Sequence, residues 1–231
     1  MEERIRAETE REHNRLMHKY LSVSECAALP TSREHRLWER LVSHDDFLQL
    51  RLGLGERKLP VEISVKPPKI SMTDDPLRSE TMRLYDQYHM MNDVPITVSL
   101  RDNAIVGILG QKTNPWLMQS MVVQAAANHS YHDVRIAILH SEEDAAQWAF
   151  AKWLPHVFAS DDRSMRMAVS DPNAIRDVLA HIDGVLSMRA DMKRDDGGED
   201  GEDPIVPPVD PDTPVALSPQ IASVALTKAT A

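Results

Sequence analysis

The sequence has 231 residues and a mass of 26.1 kDa, enough for one large domain or a domain with tails. Its 36 acidic and 26 basic residues give a net charge of −10, which argues against a protein that mainly binds nucleic acid. A single cysteine, Cys26, excludes an internal disulfide framework and any multi-cysteine metal site, and fits a reducing compartment.

No apolar run approaches the roughly 20 residues that span a bilayer, and no signal-peptide pattern opens the chain, so a soluble chain is expected. The acidity is uneven. Residues 191–231 hold nine acids and three bases, whereas the other 190 residues hold 27 and 23.

Residues 2–20 lack Gly and Pro and alternate in charge sign, with Glu8/Glu12 and Arg11/Arg15 at i,i+4. The pattern predicts an exposed helix with too little apolar content for a core, a linker or stalk over 1–22. Residues 23–92 predict a small α+β subdomain. It would hold a short helix at 33–41 with Leu37, Trp38 and Leu41 on one face, and a strand at 47–53 running into a Gly53-Leu-Gly55 turn. A half-buried strand follows at 59–65, then a helix at 77–91 opened by Asp75 and Pro76. Leu37 and Trp38 are expected to anchor this subdomain.

From 93 to 190 the pattern becomes buried α/β. Strands are expected at 95–100, 104–109, 134–139 and 164–170, with helices at 114–128, 142–152 and 171–189. Ile175, Val178, Leu179, Ile182 and Leu186 would form the apolar stripe of the last helix. Alternation of this kind predicts a mainly parallel sheet with right-handed crossovers. After that, 195–203 packs six acids among three glycines, and 204–219 holds six of the fifteen prolines. Residues 191–231 are therefore expected to form an acidic, Pro-rich, disordered tail.

The segment that most invites chemistry is Val106-Gly-Ile-Leu-Gly-Gln-Lys-Thr113, a glycine-bearing turn between strand and helix. A phosphate loop needs G-x-x-x-x-G-K-[ST], so that a long backbone arc wraps the phosphates and the lysine follows closely. Here Lys112 and Thr113 are present, but Val106 stands for the first glycine and Gln111 for the second. A vestigial loop and an unrelated tight turn both rank ahead of a working nucleotide site. A catalytic ATPase also needs a strand ending in an acid for Mg²⁺, and the later strands end in His140-Ser141 and Val169-Ser170.

The histidines predict no metal site. His13 and His18 miss the i,i+4 spacing of a helical ligand pair. His129 and His132 sit at a helix end, where a cation favours the dipole, and His140 beside Glu142 and Glu143 reads as a surface group. No G-x-S-x-G elbow occurs, so a hydrolase is not indicated. Trp148, Phe150, Trp153 and Phe158 predict packing, with Trp153 near the helix ends; a docking patch is the alternative.

Several blocks recur in an order that resembles a known family. They are Leu37-Trp-Glu-Arg40, then Asp46-Phe-Leu-Gln-Leu-Arg-Leu-Gly-Leu-Gly55, Val94-Pro-Ile-Thr-Val-Ser-Leu100 and Val106-Gly-Ile-Leu-Gly110. His129-Ser-Tyr-His-Asp-Val-Arg-Ile-Ala-Ile-Leu139 and Trp153-Leu-Pro-His156 follow. Over about 15–190 they resemble the membrane-proximal cytoplasmic region of type VII secretion ATPases, the EssC/EccC branch of the FtsK/SpoIIIE translocases.

The resemblance implies a degenerate RecA-like (P-loop NTPase-like) α/β module behind a stalk helix, on the cytoplasmic face of the cell membrane. Gly107, Gly110, Lys112 and Thr113 would be its vestigial nucleotide-binding residues. It further implies partners in a type VII membrane complex, a hexamer in the full-length protein, and export of WXG100-type substrates. ATP and Mg²⁺ would act in downstream modules, with no cofactor bound by this chain. Since transmembrane helices and those modules are absent from the sequence, a fragment or interrupted frame without ATPase activity of its own is expected. The leading reading is a non-catalytic coupling and assembly segment. A nucleotide-binding ATPase module with an atypical loop, and a substrate or partner docking domain, are the alternatives.

Overall fold

The structure, a computed structural model, describes residues 2–32, 35–59, 82–83, 85, 88–103, 105–108, 115–195 and 223–228. The chain divides into two units, Met1–Ser130 and Tyr131–Ala231.

In the first unit, α1 (Glu2–Lys19) begins with Glu2 and Glu3 and ends with His18 and Lys19, charges that complement the helix dipole at each end. Its one face of lower polarity packs on β2, where Leu16 and the following Tyr20 join Leu59, Met91 and Val94 in a buried cluster. A second helix, α2 (Val23–Ser32), was not expected from the sequence. Ser22 and Glu25 make a capping box: the Glu25 N–H donates to Ser22 Oγ at 3.3 Å, and the Ser22 N–H donates to Glu25 Oε2 at 2.7 Å.

The Ser22 hydroxyl, and then its N–H, hold the Glu25 carboxyl below its ordinary value of 4.5. A carboxylate depressed in this way stabilises the fold above its unfolded pKa and ceases to as pH falls through the folded one. As pH falls below 4.5, the protection factors of the amides at 26–29 should therefore drop. Ser22→Ala should cost about 1 kcal/mol at neutral pH.

β1 (Gln49–Lys58) and β2 (Met90–Ser99) pair antiparallel, from Gln49↔Ser99 to Lys58↔Met90. The G-x-G expected to end the strand lies within it. Register shifts between Arg51 and Gly53 and between Gly55 and Arg57 absorb extra residues as bulges. At Gly55 an added Cβ would meet Ile96 Cγ1 at 2.9 Å, so a side chain there must displace Ile96. The boundary expected at 92/93 falls inside β2.

α3 (Pro115–Asn128) is apolar nearly all round and buried from Val122 through to its end apart from Val123, packing on both α2 and β1. With Leu21, Cys26 and Leu29, Ala127 forms a second cluster that Leu37 and Val123 pack against, as expected of Leu37. Burial pushes the Cys26 thiol above its ordinary value, so thiol reagents should label it only when α2 and α3 part.

Several expected elements differ. Residues 35–38 are turns rather than part of a helix at 33–41. Residues 105–108 form no strand, and Ile105 is 91% exposed. The 59–65 strand beyond Leu59 and the Asp75-Pro76 helix start lie outside the described residues, and Met90 and Met91, expected to close that helix, belong to β2.

In the second unit, β3 (Val134–Leu139) lies between β4 (Ala168–Val169) and β5 (Ser223–Lys228). β3 pairs parallel with β4 and antiparallel with β5. Mainly parallel pairing thus holds for β3–β4 alone among the described strands. The alternation of strands and helices is that of a mixed α/β chain, and β5 lies within the tail expected to be disordered.

The helix expected at 142–152 is a broken series: 3₁₀ turns at Glu142–Asp144, Ala149–Trp153 and Pro155–Val157, with α4 (Ala145–Trp148) as its α-helical turn. α5 (Pro172–Asp195) starts where expected, because Asp171 Oδ1 accepts the Asn173 and Ala174 N–H groups, both at 3.0 Å. Val178 is buried with Ala137 and Met167, and Ile182 packs against them. Leu179 and Leu186, expected on that stripe, are about half exposed.

Candidate functional site

A helix leaves its last four carbonyls without internal partners, and a buried helix end must find donors elsewhere. The end of α3 does so completely from 124 to 128. Asn128 Nδ2 donates to Gln124 O at 2.8 Å, and both the His129 N–H (3.1 Å) and His129 Nδ1 (3.0 Å) meet Ala125 O. Trp38 Nε1–H donates to Ala126 O at 3.0 Å and the Trp38 N–H to Ala127 O at 2.9 Å. The Arg40 N–H donates to Asn128 O at 2.9 Å. The segment expected to be a helix is instead the cap of another one.

The same helix end holds β1 through side chains. The Arg51 N–H donates to Gln124 Oε1 and Gln124 Nε2 donates to Arg51 O, both at 2.8 Å, so one buried amide imitates a neighbouring strand. The Leu48 N–H donates to His129 Nε2 at 2.9 Å. That fixes Nε2 as the acceptor and leaves Nδ1 to donate to Ala125 O. Phe47 stands edge-on to the His129 ring at 5.0 Å and 89°.

Two bulky residues of this node have left-handed backbones, Trp38 at φ 60° and Leu48 at φ 57°. Such conformations cost about 1–3 kcal/mol each and persist where the surroundings over-determine them. In both cases the residue's N–H is the one delivered to an acceptor on or beside α3.

Arg40 is 7% exposed and donates to Gln49 O at 2.5 Å and Lys19 O at 2.9 Å, with Asp46 Oδ2 3.6 Å from its Nε. Burial pushes the guanidinium below its ordinary value, and Asp46 opposes this. The donors and acceptors of the node are directed at one another, an arrangement suited to holding three chain segments in register. Among the described residues no group of three or more His, Cys, Asp or Glu converges to hold a metal ion.

Of the predicted loop residues, Gly107 is exposed, outside any strand and with open space where a Cβ would stand. Gly110, Lys112 and Thr113 lie outside the described residues. Trp38 anchors as expected, through its two N–H groups. Trp153 does not pack at the helix ends: it is 80% exposed, with Lys152 Nζ 5.3 Å from the ring centroid. Around it Trp148, Ala151, His156 and Val157 are buried, so the stretch is part core and part exposed surface.

Sequence reasoning missed Gln124 and Arg40, and read His129 only as a helix-end charge. A lone glutamine in Met121-Val-Val-Gln-Ala-Ala-Ala127 was the available signal, because a polar side chain on an apolar helix demands a partner.

Comparison with known proteins places the chain among its relatives. The chain is 31% identical over 157 residues to the ESX secretion system protein EccC of Geobacillus thermodenitrificans, a match covering 67% of this chain and 10% of that protein. It is 37% identical over 125 residues to EccC of Thermomonospora curvata, covering 52% and 9%. The type VII secretion system protein EssC of Staphylococcus aureus is 24% identical over 142 residues, covering 62% and 10%. The chain is of the EssC/EccC type. The matched stretch is about a tenth of each of these relatives' length. No protein-family model matches the chain. Among the described residues of this EssC/EccC-type chain, no helix is long and apolar enough to cross a membrane.

Proposed function

We propose that the chain is a non-catalytic coupling and assembly segment of a type VII secretion motor, working between a membrane stalk and ATP-hydrolysing modules. The observation that carries this reading is the convergence of Trp38, Arg40, Leu48, Arg51 and His129 on the end of α3. All five belong to the blocks that resemble EssC/EccC, and all five are engaged in holding backbone segments together. Residues used in this way are suited to transmitting load.

In this reading α1 is the stalk helix, the α/β part is a degenerate RecA-like module, and Gly107, Gly110, Lys112 and Thr113 are remnants of its phosphate loop. The segment works on the cytoplasmic face of the membrane within a type VII complex. Its full-length setting is a hexamer that exports WXG100-type proteins.

The test is association in cells that carry such a system. The tagged chain should sediment with the membrane complex and cross-link to its EssC/EccC-type component. Recovery as a free monomer with no such cross-link would overturn the assembly role.

A further inference from the structure

The end of α1 is held as tightly as the end of α3, but by charged side chains. Arg36 Nη2 donates to His18 O at 2.6 Å, Arg40 Nη2 to Lys19 O at 2.9 Å, and Arg51 Nη1 to Tyr20 O at 2.9 Å. Three guanidiniums thus take three successive carbonyls at and just past the helix end, where the dipole is negative and internal partners run out.

The three anchors fall on the last two residues of the helix and the one after it, so they restrain the end of α1 at three consecutive points. Two of the three are tied to β1 as well. Arg51 is a β1 residue, and Arg40 Nη1 donates to Gln49 O at 2.5 Å. Tyr20 OH adds a bond to Gln49 Oε1 at 2.6 Å, and Asp46 Oδ2 stands 3.4 Å from Lys19 Nζ and 3.6 Å from Arg40 Nε.

The rest of α1 contrasts with this end. Leu16 is its one buried residue, and its other described ties are looser: His13 Nε2 lies 3.2 Å from Asp93 O, Glu2 meets Tyr88 OH at 3.4 Å and Arg83 at 3.7 Å, and the pairs Arg11–Glu8 and Arg15–Glu12 join the helix only to itself.

We infer that this arginine tripod is a rigid joint that makes α1 a lever on the β1/β2 sheet. Displacement of the helix is delivered to β1 at Gln49–Arg51 rather than lost in a hinge at Leu21. The inference concerns only α1 and the sheet and stands independently of the secretion reading.

Spin labels on the full chain test it. One pair is placed at the exposed Arg6 of α1 and Asn92 of β2, and a control pair at the exposed Leu52 of β1 and Asn92, several residues apart along the sheet. Pulsed dipolar spectroscopy should give a narrow α1–β2 distance distribution. In Arg36→Gln/Arg51→Gln its width should at least double while the β1–β2 control stays narrow. If the control also broadens, the sheet has been lost and Arg36→Gln alone decides: broadening of α1–β2 supports the joint, and an unchanged width overturns it. A broad distribution in the unaltered chain, or a double variant as narrow as the parent, overturns it as well.

Discussion

His129→Ala should destabilise the first unit by about 2–4 kcal/mol. The substitution leaves the buried Leu48 N–H without its acceptor, which costs about 1–3 kcal/mol. It also opens a cavity against Phe47 where a fully buried ring stood. Leu48 then keeps its left-handed backbone with one restraint fewer, the Leu100 N–H still donating to Leu48 O at 3.0 Å. His129→Gln, whose side-chain oxygen can reach the position of Nε2, should recover part of the loss. Hydrogen exchange at 121–128 reads both changes, because opening of α3 is local to this unit. Equal losses in the Ala and Gln variants would mean that the Leu48 bond contributes nothing.

Arg40→Ala should cost a similar amount, about 2–4 kcal/mol, for a different reason. It removes the donor to Lys19 O and Gln49 O and leaves Asp46 with Lys19 alone. Breaking one side of a buried charged arrangement is far more costly than the arrangement's net worth. Arg40→Lys should rescue little, since one ammonium cannot reproduce two donors in a fixed fork. Urea unfolding should show a lower midpoint at unchanged slope for both variants. Wild-type stability in the lysine variant would show that charge, and not bidentate geometry, is what Arg40 supplies.

Long periodic segments were legible in the sequence, and segments whose state depends on distant partners were not. The α1, α3, β3 and α5 spans follow from charge alternation, an apolar run and the Asp171-Pro172 start. The α2 helix was legible too, in Ser22 and Glu25, but its weak apolar periodicity and Pro30 concealed it. Leu37-Trp-Glu-Arg40 has helical propensity, yet two of its N–H groups bond to the carbonyls of Ala127 and Asn128, and tertiary demand overrides local preference. Residues 104–109 read as a buried strand because they are apolar, and apolar composition alone does not secure a pairing partner.

For the candidate site, sequence gave the blocks without their meeting place. His129 lies 81 positions from Leu48, and Gln124 lies 73 from Arg51. No local spacing encodes those contacts. Lys112 and Thr113 match the last two positions of a phosphate-loop pattern whose glycines are replaced by Val106 and Gln111, and nucleotide binding reads whether they act as one.

That binding is the most direct measure of the central claim, that this segment works without nucleotide. A fluorescent ATP analogue is titrated onto the purified chain with and without Mg²⁺. The account predicts no saturable binding up to millimolar nucleotide, and the same result for Lys112→Ala. Micromolar binding that Lys112→Ala abolishes would contradict it and make this a nucleotide-binding module.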